Sequence, residues 1–247
     1  MKIKLIIAQL MLMTLFVGYV RGQENVRSIR ARAMLYEPII ASAAARYNVD
    51  PHLLWTIAYL ESRFRAEAIS YKDGKPCAYG LMQFVAATAR RYGLTNPHNA
   101  PDAVDAAARY VRDLQERFGG RGDLVLAAYN AGEGTVEAFR DGKRLVLSNG
   151  KVINPNAIRT SGVPPYMETR EYVARGRIVY QTITREGLFL ASTKLSEGWP
   201  KREGDSQHGE TEASIYTLTS EEQESEQRAK PQKIKGMAQA QSSLYAN

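Results

Sequence analysis

Apolar residues recur at helical spacing along most of this 247-residue chain, and turn-forming residues punctuate them. Pro38, at a first helical position, opens a helix through Ile39, Ile40, Ala43 and Ala44. Asp50-Pro51 caps and starts a second, running to about Phe64. A third is expected from near Leu81 to Gly93. Asp102 starts a fourth, with Val104, Ala107, Ala108, Val111, Leu114 and Phe118 on one face. Asp123 caps a short apolar helix, Leu124 to Ala131, which Gly132 stops. A last helix, from about Glu168 to Arg185, carries Tyr172, Val173, Val179 and Ile183. Only between Arg140 and Pro155 does the period change. There Leu145, Val146 and Leu147 face Val152 and Ile153 across Ser148-Asn149-Gly150, which is the pattern of a β-hairpin. The pattern predicts an all-α, helix-dominated fold with one small β-hairpin near 143–153.

The two ends of the chain follow other rules. Lys2 and Lys4 precede an apolar run from Leu5 to Val20, and the small residues Val20 and Gly22 stand before a cut at Gly22–Gln23. That is the layout of a cleaved signal peptide over residues 1–22; the competing reading is an uncleaved anchor, for which the run is a little short. No cysteine lies near the cut, so no lipid attachment is expected. Beyond Lys194 the chain turns to Ser, Glu, Gln, Lys and Gly, with an acidic cluster (Glu221 to Glu226) followed by a basic one (Arg228 to Lys235). A stretch so poor in apolar residues cannot offset its ordering entropy, so 194–247 is expected to be a disordered polar tail, solvated or partner-binding. Residues 23–193 remain for one domain, and no internal repeat is present.

Charge narrows the partners. Loss of residues 1–22 removes Lys2, Lys4 and Arg21 and no acid, so a formal +7 becomes +4. A mildly basic exported protein suits an anionic polymer or a membrane surface, and the charge alone does not choose between them. Nucleic acid does not fit, because no basic stripe interleaved with aromatics is present. A single cysteine, Cys77, allows no intrachain disulfide. His52, His98 and His208 are too scattered to make a metal site with it, and no Gly-rich phosphate loop is present, so no metal or cofactor is expected.

One residue breaks its own pattern. In the helix that starts at Asp50-Pro51, Leu53, Leu54, Ile57, Ala58, Leu60 and Phe64 span an apolar arc, and Glu61 falls inside it. A carboxyl among apolar neighbours loses hydration and holds its proton to higher pH, as a general acid must. The plainer alternative is a glutamate at a helix end that caps the backbone or pairs with Arg63 or Arg65.

Its company points further. Glu61-Ser62-Arg63-Phe64, Gly80-Leu81-Met82-Gln83, Ala127-Ala128-Tyr129-Asn130-Ala131-Gly132 and Pro164-Pro165 with Glu168-Thr169-Arg170-Glu171-Tyr172-Val173 follow one another over about residues 50 to 175. In that order they resemble the lytic transglycosylases of the goose-type lysozyme-like fold (soluble lytic transglycosylase catalytic domain). Cys77 and Ala86 depart from that family's pattern, and the stretch from Glu137 to Gly162 is longer than in many members.

The resemblance implies a periplasmic or otherwise exported enzyme acting on peptidoglycan. It would cleave the β-1,4 bond between N-acetylmuramic acid and N-acetylglucosamine and leave 1,6-anhydromuramic ends, for remodelling or for a secretion or conjugation apparatus. Glu61 would be the single catalytic acid and base. Ser62 would be a polar neighbour of the acid or the sugar, and Met82 and Gln83 would line the glycan groove, although Leu81 and Met82 also suit a core. Tyr129 would bring a phenol to the reaction centre and Asn130 would hold a loop or a sugar. Glu168 would orient Tyr129 or the sugar, or else pair with Arg170. Two other readings stay open: a hydrolytic muramidase, which needs a second carboxylate or a held water opposite Glu61, and a non-catalytic glycan-binding assembly protein.

Overall fold

The computed structural model describes residues 28–189. The expected signal peptide (1–22) and polar tail (194–247) lie outside the described residues. Within them the chain is helix-dominated, as the apolar periodicity predicts, with short strands between helices. No helix among the described residues is long and apolar enough to cross a membrane.

Among the described residues helix α1 covers 28–47, so Pro38 lies in its interior with at least ten helical residues before it. Ile29, Ala33, Ile40, Ala43 and Ala44 form one buried stripe across the proline. Packing of that stripe outweighs the loss of one backbone hydrogen bond, a penalty of about 3 kcal/mol in an unsupported helix. Helix α2 (Pro51–Ser62) starts where expected, with the Asp50 carboxylate accepting from His52 N at 2.9 Å. It is buried on every side from Pro51 to Tyr59. A helix apolar all round is a central helix and not an amphipathic one. It stops two residues before Phe64, because Arg63 and Phe64 both adopt left-handed backbone (φ 52° and 60°). Arg32 of α1 then donates to the Arg63 carbonyl, placing a cation at the C-terminal end of α2.

A hairpin that the apolar pattern leaves unannounced follows: β1 (Ile69–Lys72) pairs antiparallel with β2 (Lys75–Tyr79), Lys72 opposite Lys75. Its two-residue loop is Asp73-Gly74, both at positive φ (49° and 75°), a turn whose twist matches that of the strands. No helix starts at Leu81. Leu81 to Val85 form a buried loop in which Gln83 has φ 50° and Phe84 bridges back to Tyr79; helix α3 is only Ala86–Arg91. The apolar run there is buried by tertiary contact, without helical periodicity. Gly80 has no room for a side chain: a Cβ would sit 1.8 Å from the Pro97 carbonyl oxygen.

Helix α4 (Ala100–Arg117) is capped by Asn99 and starts two residues upstream of the expected start at Asp102. Helix α5 (Gly122–Ala131) has Asp123 in its first turn, paired to Arg121 at 2.6 Å. Gly132 (φ 86°) ends α5 and at once begins α6 (Glu133–Asp141), a helix absent from the sequence expectation. The predicted second hairpin is present as β3 (Leu145–Val146) and β4 (Val152–Ile153), with Leu145 opposite Ile153. With Ala138 and Phe139 of α6, Leu147 and Ile153 make a small core of their own. The buried Asn154 staples it, donating to the carbonyls of Ala138, Lys143 and Ile158.

Helix α7 (Met167–Arg185) closes the core against α2 and α5. Contact is closest at Gly176, where a Cβ would lie 2.3 Å from Leu126 Cδ1 and 3.1 Å from Leu60 Cδ1. At the other end of α2, His52 hydrogen-bonds the Leu188 carbonyl and lies 3.0 Å from Asp50, whose second oxygen accepts from Tyr180 of α7.

Candidate active site

Glu61 stands in the last turn of α2, beside the α7 contact at Leu60. The residue keeps partial access to solvent, yet the protein packed around its carboxyl pushes the pKa from 4.5 up to about 8. Loss of hydration is the largest cause, and the negative charge of Glu168 adds to it. A hydrogen bond from Tyr172 and the charge of Arg175 act in the opposite sense. Of the arginines expected as ion-pair partners, Arg65 turns its Nε to the Ser62 carbonyl at 2.9 Å.

The nearest polar partner of Glu61 is Tyr172, whose hydroxyl donates to Oε1 at 2.7 Å. Tyr172 is buried on α7, and burial beside an acid lifts its own pKa well above the ordinary tyrosine range. In the sequence it reads as an apolar helix position. The available signal was its spacing of four from Glu168, which puts both on one face of α7. Glu168 is half-buried in the first turn of that helix and acts on Glu61 through its charge.

Tyr129 is brought in from α5. It is buried, electrostatically coupled to Glu61, and donates to the Met82 carbonyl at 2.9 Å. An aromatic ladder backs it, with ring centroids 5.2 Å apart from Tyr129 to Tyr110 and again from Tyr110 to Tyr92. Tyr110 also donates to the buried Glu133, whose other oxygen takes Arg91 at 2.6 Å. This fixes α5 behind the acid.

The remaining expected residues form a supporting bracket. Ser62 is buried; its hydroxyl donates to the Leu81 carbonyl at 2.8 Å and accepts from Arg65 N at 3.0 Å. Gln83 is buried too, with its amide fully used: it donates to the Gly80 and Ala68 carbonyls and accepts from Ser70 at 2.6 Å. Met82 is a core side chain with no exposed surface. Ser62 and Gln83 tie α2, the first hairpin and the 80–85 loop together through hydrogen bonds to backbone and to Ser70. Asn130 is buried, and its Oδ1 has no hydrogen-bond partner. Cys77 Sγ lies against the Ser70 carbonyl within the hairpin.

A groove of about 600 Å³ between α1 and the start of α4 does not include Glu61. Within it Asp105 pairs with Arg46 and Arg109 and accepts from Tyr47. Among the described residues, no group of three His, Cys, Asp or Glu side chains could hold a metal ion.

Comparison with known proteins gives this arrangement relatives. Residues 38–144 match the model of the transglycosylase SLT domain. The chain is 25% identical over 170 residues to the membrane-bound lytic murein transglycosylase F of Pseudomonas fluorescens, covering 66% of this chain and 33% of that protein. It is 29% identical over 189 residues to the membrane-bound lytic murein transglycosylase F 1 of Alkalilimnicola ehrlichii, covering 68% and 37%. The chain thus spans about a third of the length of these relatives. The X-ray structure of an inactive mutant of lytic transglycosylase Slt from Pseudomonas aeruginosa overlaps it at a TM-score of 0.48 with 24% identity, over 66% of this chain and 25% of that one. The family match takes in α2 with Glu61, the 80–85 loop and α5 with Tyr129, and ends before α7. Through residues 38–144, this chain is similar to the transglycosylase SLT domain family.

Proposed function

We propose that this protein is an exported peptidoglycan lytic transglycosylase in which Glu61 serves first as general acid and then as general base. The observation that carries the reading is a carboxyl held protonated to about pH 8 at the end of a buried helix, with one phenol at 2.7 Å. At neutral pH such a group has a proton to give, which an ordinary surface glutamate has not.

Glu61 would protonate the oxygen leaving C1 of N-acetylmuramic acid as that bond breaks. The resulting carboxylate would accept the proton of the same sugar's C6 hydroxyl while O6 bonds to C1. Glu61 thereby regains its acid form, no water is consumed, and a 1,6-anhydro end is left. Tyr172 supports the reading because its hydroxyl stabilises the carboxylate formed midway and fixes the orientation of the acid. The relatives' names, membrane-bound lytic murein transglycosylases, support murein as the substrate.

Glu168 favours a second reading, a hydrolytic muramidase, because it is an acid within electrostatic reach of Glu61. Ordinary glycosidases use two carboxylates, one of them activating water or attacking C1. Mass analysis of products from purified sacculi separates the two. Anhydromuramic ends support the transglycosylase, and reducing ends support the hydrolase. Glu61→Gln is expected to abolish cleavage while the protein still binds sacculi; unchanged cleavage overturns the assignment of the acid.

A further inference from the structure

Helix α7 presents three polar side chains, Glu168, Tyr172 and Arg175, spaced i, i+4 and i+7, so that all fall within about 60° of arc. The first two already belong to the candidate site. Arg175 does not, and its circumstances are odd. Its Nε is buried without a hydrogen-bond partner, and no hydrogen bond or ion pair to its guanidinium is found among the described residues. A guanidinium stays charged and carries five donors, so leaving it unpaired in a partly buried place is unfavourable. The next residue shows where it sits. Gly176 is pressed against Leu60, the residue before Glu61, so the backbone at Arg175 runs beside the last turn of α2. Both Glu61 and Tyr172 feel Arg175 as a cation.

We propose that Arg175 is a positioning residue whose guanidinium is the countercharge for Glu61 in its ionised form. The inference rests on the proposed function, in which that form exists only between two proton transfers. In the resting protein Glu61 is neutral and Arg175 makes no ion pair among the described residues. When the proton passes to the leaving oxygen, the carboxylate that remains is the missing anion. When the C6 hydroxyl returns a proton to Glu61, the charge disappears again, and Arg175 keeps its own protons throughout. Such an interaction is stronger in the middle of the reaction than at rest, which is the condition for accelerating it. The other groups that face Glu61 act differently: Tyr172 donates a hydrogen bond, Glu168 repels the carboxylate, and Tyr129 of α5 is a phenol raised by the same charge.

The test uses the full chain with Arg175→Met, Arg175→Lys and, should the methionine variant fail to fold, Arg175→Gln. Titration of Glu61 is followed by carboxyl NMR in the free protein, alongside kcat and KM on purified sacculi. Loss of the charge is expected to move the Glu61 midpoint up by about one pH unit. It should also lower kcat about tenfold, with KM unchanged within about twofold. Arg175→Lys is expected to restore most of both. An unmoved midpoint overturns the proposal. If KM alone rises, Arg175 contacts a substrate anion, and the proposal is likewise wrong. Because the titration needs no substrate, it still decides the role of Arg175 if Glu61→Gln retains cleavage and the proposed function falls.

Discussion

Substituting Glu61 by glutamine should make the protein more stable while disabling it, and the size of the gain follows from one pKa. The folded chain holds the Glu61 proton to about pH 8, whereas the unfolded chain releases it near 4.5. Between those limits the native state binds more protons than the unfolded state, so its stability falls as pH rises. Below pH 4.5 both states are protonated and nothing is lost; above pH 8 the loss is complete. At 1.36 kcal/mol per unit, the wild-type chain gives up about 3 kcal/mol at pH 7 and about 5 kcal/mol beyond pH 8. Glutamine keeps the shape, does not titrate, and still offers Tyr172 an oxygen to donate to. Urea denaturation of both proteins at about pH 4, 7 and 8.5 measures the difference directly. The two curves are expected to coincide at the acid end and to separate by about 3 kcal/mol at pH 7, with glutamine the more stable. A separation that does not grow with pH would mean that the carboxyl is solvated in the folded state, and the argument for a general acid would fail with it. The trade of stability for a reactive group is common at active sites.

Tyr172→Phe removes the 2.7 Å hydrogen bond to Glu61. That bond favours the carboxylate, so its loss is expected to raise the Glu61 pKa further, by about 1 to 2 units for a charged hydrogen bond of 1.5–3 kcal/mol. The alkaline limb of the pH–rate profile should shift upward accordingly; a limb that stays in place refutes the coupling. Ser62→Ala leaves the Leu81 carbonyl and Arg65 N–H without their partner and should destabilise the fold by about 1–3 kcal/mol, read by thermal or chemical denaturation. Gly80→Ala forces a Cβ against the Pro97 carbonyl and a φ of 77° on a residue with a side chain, and should destabilise by about 3 kcal/mol or more. An alanine variant as stable as the parent would show that the 80–97 contact yields easily.

The positions of α2, α4, α5 and α7, and of the β3–β4 hairpin, were legible in the sequence because local signals set them: Asp50-Pro51 before α2, a glycine after α5, an Asn-Gly turn in the hairpin. Glu61 stood out for the same reason, as a carboxylate where the local pattern calls for an apolar residue. The sequence could not show that α2 is buried on all sides, since periodicity reports one face and burial depends on what packs against the others. Nor did it distinguish a helix from a packed loop at Leu81 to Val85, where Leu81, Met82 and Phe84 are buried in the main core without any period. The Asp73-Gly74 turn was there to be read, and its short strands with a bulge at Ser70/Tyr71 hid it.

The division is clearest at the acid itself. Sequence determined that a carboxyl would end an apolar helix, because a residue's identity and its place along a helix are local properties. Tertiary structure alone decided that Tyr172, 111 residues away, would donate to it, that Glu168 and Arg175 would set opposing charges beside it, and that Ser62 and Gln83 would serve the backbone. Hydration and charge–charge energies depend on distances in space, and those exist only once α7 has packed against α2 at Gly176.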